Sequence, residues 1–316
     1  VDVGLDLRWG ITPSTLLNAT INPDFSTVES DAGQLSINTT FSLFYNEKRS
    51  FFLENSDYFS SNYDLVYTRN IAEPDYGVKL TGREKQHSYG FFLTNDNKTN
   101  FIVPGNISSN LAVLNTESHS AAFNYRYDKN EDLSLGFIST LRTADNYHNL
   151  VAGFDGKYRV SDSNSILAQV LHSNTEYPDD LFQDFCLTDD CSVTQNSDCE
   201  FGNCSFTEQV HRTNQLDEFS DQALKINLKH DSEYWRVNAL HEQIGKDFRA
   251  DLGFMTKADY QRNSVLVDRL FYGDQNSLWQ EARVSGEWKI LHNEKGELLE
   301  RSVGTSFGID GPKLSY

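Results

Sequence analysis

The sequence predicts an all-β chain, an antiparallel transmembrane β-barrel of the outer-membrane type with about 14 or more strands. Three observations predict it. Apolar and polar residues alternate along long segments, short polar turns link those segments, and aromatic residues are abundant in a chain poor in aliphatic ones.

Composition narrows the class. Of 316 residues only 38% are hydrophobic, yet there are 15 Tyr, 21 Phe and 4 Trp against a single Met. Mean hydropathy is −0.55. A helical membrane protein needs runs of about 20 apolar residues, and none occurs. A soluble enzyme usually carries a richer aliphatic core. A membrane barrel meets both facts, because only its outward face is apolar and its aromatics gather at the two interfaces. A soluble all-β protein rich in tyrosine is the competing reading of composition alone. The formal charge of −19 excludes nucleic acid as a partner, since phosphate binding needs clustered Lys and Arg. The acidic excess either draws cations toward the pore or only keeps the loops solvated.

Periodicity separates the two readings. Leu224, Ile226 and Leu228 interleave with Lys225, Asn227 and Lys229; beyond His230-Asp231-Ser232, Trp235, Val237 and Ala239 alternate with Arg236 and Asn238. Ala282, Val284, Gly286, Trp288 and Ile290 oppose Glu281, Arg283, Ser285, Glu287 and Lys289, and Phe123, Tyr125 and Tyr127 oppose Asn124 and Arg126. Period two with one apolar face suits a strand between fat and water. Strand candidates of about 9–12 residues suit a tilted bilayer crossing better than a soluble sheet. Asp128-Lys129-Asn130-Glu131, Ser161-Asp162-Ser163-Asn164 and Asn293-Glu294-Lys295-Gly296 read as hairpin turns. Val1 falls inside an expected strand with no signal peptide, and Ser306–Ile309 approaches a further turn. The barrel domain, 1–316, is therefore expected to be part of a longer polypeptide, incomplete at both ends.

Two regions interrupt the meander. Residues 22–60 alternate poorly and are expected to enter the lumen or to sit at the periplasmic mouth. Residues 177–219 hold every cysteine and are expected to form a long extracellular loop.

The first region also carries a resemblance. Asn22-Pro23-Asp24-Phe25-Ser26-Thr27-Val28-Glu29-Ser30-Asp31 and Phe44-Tyr45-Asn46-Glu47-Lys48-Arg49-Ser50-Phe51-Phe52-Leu53-Glu54 resemble a family of bacterial surface proteins. In that family a domain like the family-9 carbohydrate-binding module precedes a large barrel domain of unassigned function. Thr27, Ser30, Asn46 and Ser50 depart from its usual pattern. Leu65–Ile71 and Asp247–Phe254 look like further family segments. The resemblance implies an outer-membrane barrel and a carbohydrate-binding-like domain ahead of it, and it supplies no transported substrate.

Candidate residues follow from these regions. Asp24, Glu29, Asp31, Glu47, Lys48, Arg49 and Glu54 are mixed charges among aromatics, which must pair to offset desolvation. In a lumen they would form a constriction or selectivity element, or only a structural clamp. Cys186, Cys191, Cys199 and Cys204 are even in number and lack the tight C-x2-C pairs of zinc sites, so two disulfides of undetermined connectivity are expected. Asp189, Asp190, Asp198 and Glu200 beside them offer oxygen ligands for calcium, but no EF-hand spacing is present, and a solvated acidic loop is the competing reading. No H-E-x-x-H, G-x-S-x-G or P-loop occurs, so no catalytic residue is named and no enzyme activity is expected. The expected function is a channel or uptake-related barrel of a Gram-negative outer membrane, associated with carbohydrate binding. The alternative is a plugged barrel acting as a surface anchor or adhesion module. Membrane lipid and a glycan or surface protein are the expected partners.

Overall fold

The computed structural model describes residues 4–23, 42–106, 109–182, 212–213, 217–274 and 277–311. The cysteines, Asp24, Glu29, Asp31, Asp189, Asp190, Asp198 and Glu200 lie outside the described residues.

The strands are β1 (Leu5–Thr12), β2 (Thr15–Ile21), β3 (Tyr76–Glu84), β4 (His87–Asp96), β5 (Thr99–Pro104), β6 (Ser109–Leu114), β7 (Ser118–Asp128) and β8 (Leu133–Ala144). They continue as β9 (Tyr147–Ser161), β10 (Asn164–Glu176), β11 (Phe219–Asp231), β12 (Trp235–Ile244), β13 (Tyr260–Tyr272), β14 (Glu281–His292) and β15 (Leu298–Asp310). Thirteen of them form one antiparallel sheet in the order β1-β2-β3-β4-β7-β8-β9-β10-β11-β12-β13-β14-β15. From β7 onward most strands run 10–15 residues, the length that crosses a bilayer at a tilt. This is the wall of an outer-membrane-type barrel, the expected fold class. It is open: β1 and β15 are not paired with each other among the described residues. Residues 42–75 contain α1 (Ser50–Leu53) and two 3-10 turns, Ser56–Phe59 and Thr68–Asn70.

The alternation read from sequence sorts the two faces. Phe91 and Leu93 of β4, Phe123 of β7, Leu135 and Leu141 of β8, and Leu150 and Phe154 of β9 point one way and are exposed. Their neighbours Thr94, Asn124, Thr140 and Asn149 point the other way and are buried. Register keeps each set in rows, with Phe91 opposite Phe123 and Phe137 opposite Phe154. An apolar face this extensive is far larger than a water-facing surface normally carries.

The two ends of the wall differ. At one end the connections are short: 13–14, 85–86, 129–132, 162–163, 232–234 and 273–280. At the other lie 22–75, 97–117, 177–218 and 245–259, beside the tight turns at 145–146 and 293–297. Outer-membrane barrels show this asymmetry, with long loops on the outer side. The β5–β6 hairpin lies within 97–117 and leaves the wall, so β4 pairs directly with β7.

Three of those long connections fold back over the polar face. Phe51, Phe52 and Phe59 from residues 42–75 pack with Phe92, Ala122 and Leu252. Tyr63 and Leu65 join Phe248, Ala250 and Met255 over Ile138, Val151 and Leu171. Phe101, Ala112 and Leu114 of the hairpin meet Tyr147, Tyr177 and Phe219. The face they cover is the inner one, and its apolar core is built by these segments rather than by a second sheet.

Candidate functional site

An irregular segment laid on a wall carries backbone groups that need partners. Side chains from several strands supply many of them for residues 42–75. Lys79 of β3, which is buried, donates to the carbonyl oxygens of Phe51 and Glu54, the C-terminal turn of α1. Cations favour that helix end. Asn124 of β7 donates to the Tyr58 carbonyl at 2.7 Å, and Lys225 of β11 to the Asn62 carbonyl at 2.9 Å. Lys225 also pairs with Glu242 of β12 at 3.3 Å and lies 4.8 Å from the Tyr63 ring centre.

Four of the sequence-named charges are described. Glu47 and Arg49 form a two-point ion pair, Arg49 Nε to Oε1 at 2.9 Å and Nη2 to Oε2 at 2.8 Å. Arg49 also donates to the carbonyls of Ile71 and Thr68, both at 2.6 Å, and stacks 4.4 Å from the centre of the Phe52 ring. The Thr68 hydroxyl donates to Glu47 at 2.6 Å. Burial pushes the Glu47 carboxyl up, but the Arg49 guanidinium and the Thr68 hydroxyl outweigh it and hold the group at about 2. Glu54 turns to the wall instead, accepting from Asn18 Nδ2 of β2 and pairing with Arg8 of β1, both at 2.6 Å. Lys48 is exposed beside them. The structure thus joins Glu47 to Arg49 and sends Glu54 to β1 and β2.

A second constellation carries the tighter geometry, and the sequence named none of its members as site residues. Arg142 of β8 is fully buried. Its guanidinium donates to Asn100 of β5 at 2.5 Å, to Asn70 at 3.1 Å and to Asp251 at 3.4 Å, through their carbonyl oxygens. One wall residue therefore touches all three inner segments. Asp96, 3.8 Å from Arg142, accepts from the backbone N–H groups of Ala72 and Glu73 at 2.7 Å each. Beside this pair, the Tyr147 hydroxyl donates to Asp251 at 2.8 Å, and Asn149 exchanges bonds with the backbone of Arg249 and Asp251. Burial raises the Asp251 carboxyl although Tyr147, Arg142 and Arg249 counteract it. Arg249, also fully buried, donates to the Tyr177 hydroxyl at 2.9 Å. The available signal was the lack of period two through Asp247–Phe254 between two clean strands.

Beyond β12 the inner face changes character. Arg283, Ser285, Glu287 and Lys289 of β14 face inward and stay at least partly exposed, with Lys289 paired to Glu300 of β15. The covered half of the wall is a clamp, and this half is a mixed-charge polar surface.

Residues 1–102 match the profile of a family described only as a domain of unknown function (DUF5916). No curated protein matches the chain. Among solved structures it is similar to a FadL homologue of Pseudomonas aeruginosa, at 9% identity and a TM-score of 0.31, over 73% of this chain and 65% of that one. It is also similar to OccAB3 of Acinetobacter baumannii, at 13% identity and a TM-score of 0.33, over 98% of this chain and 81% of that one. The chain thus spans 65% of the length of the first of these structures.

Proposed function

We propose that this chain is wall and inner segment of a channel or uptake barrel in a Gram-negative outer membrane. The observation that carries the reading is the split between faces: exposed Phe, Leu and Val outward, and charged and amide side chains inward along the same strands. Lipid meets the first set, and water or cargo the second. The inner segments narrow the covered half, and the Arg283–Glu300 surface lines what remains. Such mixed charge discriminates among ions and polar solutes by field and by size. In this reading the protein is not an enzyme. An association with carbohydrate binding is the finer part of this proposal, and it rests on the sequence resemblance alone.

Conductance of the refolded chain in planar bilayers, together with liposome swelling by sugars, tests this. Discrete channel openings, larger in Arg142→Met, are the expected result. A silent bilayer for both proteins removes the transport reading.

The density of the clamp favours a second reading, a sealed barrel that anchors surface loops. Silence in the bilayer combined with glycan-array binding by the intact polypeptide would select it.

A further inference from the structure

We propose that His148, Glu176 and Glu218 form a divalent transition-metal site, taking Zn2+, at the base of the 177–218 connection. The three sit in one row across adjacent strands. His148 of β9 is the register partner of Glu176 of β10, and Thr175 pairs with Phe219, so Glu218 faces Glu176 one position further on. Thr175 and Phe219 are buried on the inner face, which leaves this row pointing outward. One imidazole nitrogen and one oxygen of each carboxylate lie within 4.8 Å of one another.

Two glutamates directly opposite each other repel, so the row needs a positive charge to hold it. The geometry suits an ion better than a hydrogen bond. His148 Nδ1 lies 3.4 Å from Glu176 Oε2, beyond a well-formed hydrogen bond. Ligands at about 2.0–2.1 Å around a tetrahedral ion are separated by about 3.3 Å. His148 Nε2 is 2.6 Å from the amide oxygen of Asn174 and 4.0 Å from Glu218 Oε1. With Asn174 as acceptor, Nε2 carries the proton and Nδ1 turns its lone pair toward Glu176. Metal-bound histidines are oriented by such a contact on the far nitrogen. One imidazole and two carboxylates suit Zn2+, with a fourth position left to water. The ion would tie β9, β10 and β11 together where the longest of their connections leaves the wall.

The test is calorimetric titration of Zn2+ into the refolded chain in detergent, with thiols alkylated beforehand so that the cysteines cannot compete. Expected is one saturable site, weakened by about tenfold or more in His148→Ala and in Glu218→Gln. Glu218 is exposed, which separates loss of a ligand from loss of fold. His172→Ala, an exposed histidine of the same strand pair, should bind as the parent does. Co2+ in place of Zn2+ should give visible bands without thiolate charge transfer. Affinity unchanged in both ligand variants or no saturable binding would each overturn the site.

Discussion

Arg142 on β8 and Asp96 at the end of β4 face each other at 3.8 Å with both side chains wholly buried, and each also holds the backbone of the same inner segment, Arg142 at Asn70 and Asp96 at Ala72 and Glu73. Such a pair gains its stability from the extra hydrogen bonds rather than from the charges alone. Arg142→Met keeps the length of the side chain but leaves Asp96 without its ion-pair partner and takes the guanidinium donor from three carbonyl oxygens. The expected cost is about 3–5 kcal/mol in urea unfolding from detergent. Residues 70–73 and 245–259 should become open to protease before the wall unfolds. The double variant with Asp96→Asn should lose less than the sum of the single losses, because the two residues pair with each other and hold the same segment. Additive losses would mean that the two act independently.

Glu47 gives the clamp a pH dependence. Its carboxyl sits at about 2, against an ordinary value of 4.5, because Arg49 and Thr68 outweigh the effect of burial. A depressed folded value means that the contribution is fully present above about pH 4.5 and is lost as the pH falls through about 2. The amount involved is on the order of 3 kcal/mol. Urea midpoints measured from pH 7 down to pH 2 should fall more steeply for the parent than for Glu47→Gln. Parallel curves would remove Glu47 from the account.

Gly253 is fixed by close approach. A methyl group added there would lie 2.4 Å from the Asp64 carbonyl oxygen and 3.0 Å from the Leu65 Cα, where the two inner segments cross. Gly253→Ala should destabilise by about 1–3 kcal/mol through overpacking. Gly286 of β14 has nothing within 4 Å of the same position, so Gly286→Ala should stay within about 0.5 kcal/mol of the parent. Thermal unfolding in detergent measures both, and equal shifts would contradict the crossing.

These residues also show what the sequence could disclose. Alternation in β14 sorted Trp288 from Lys289 because a strand with one wet face repeats every two residues. Period two identifies a strand without naming its sheet. Phe101, Ile102 and Val103 belong to the hairpin folded inward, since β4 finds its partner in β7. Glu47 and Arg49 stood out because opposite charges lay two residues apart among phenylalanines. Arg142 did not, because in Leu141-Arg142-Thr143 it looks like any pore-facing charge. What buries it comes from Asn70, Asn100 and Asp251, far away along the chain. Local pattern reveals which face a residue occupies, and long-range packing decides what covers that face.

The division between faces can be tested at two residues of β14. Trp288 is exposed on the outward face, in the row where Val265 of β13 and Val303 of β15 are its register partners. Ser285 points inward between Asp268 and Ser306. A cation on the lipid side of a barrel costs about 2–4 kcal/mol near the bilayer midplane and less toward the interfaces. The same cation inside meets water and the carboxylate of Asp268. Trp288→Arg should therefore refold poorly into phosphatidylcholine vesicles, read as loss of the heat-modifiable band on cold gels. Ser285→Arg should insert as the parent does and change ion selectivity instead. If both variants insert equally well, the outward row of β14 does not face lipid, and the membrane reading fails at its most direct point.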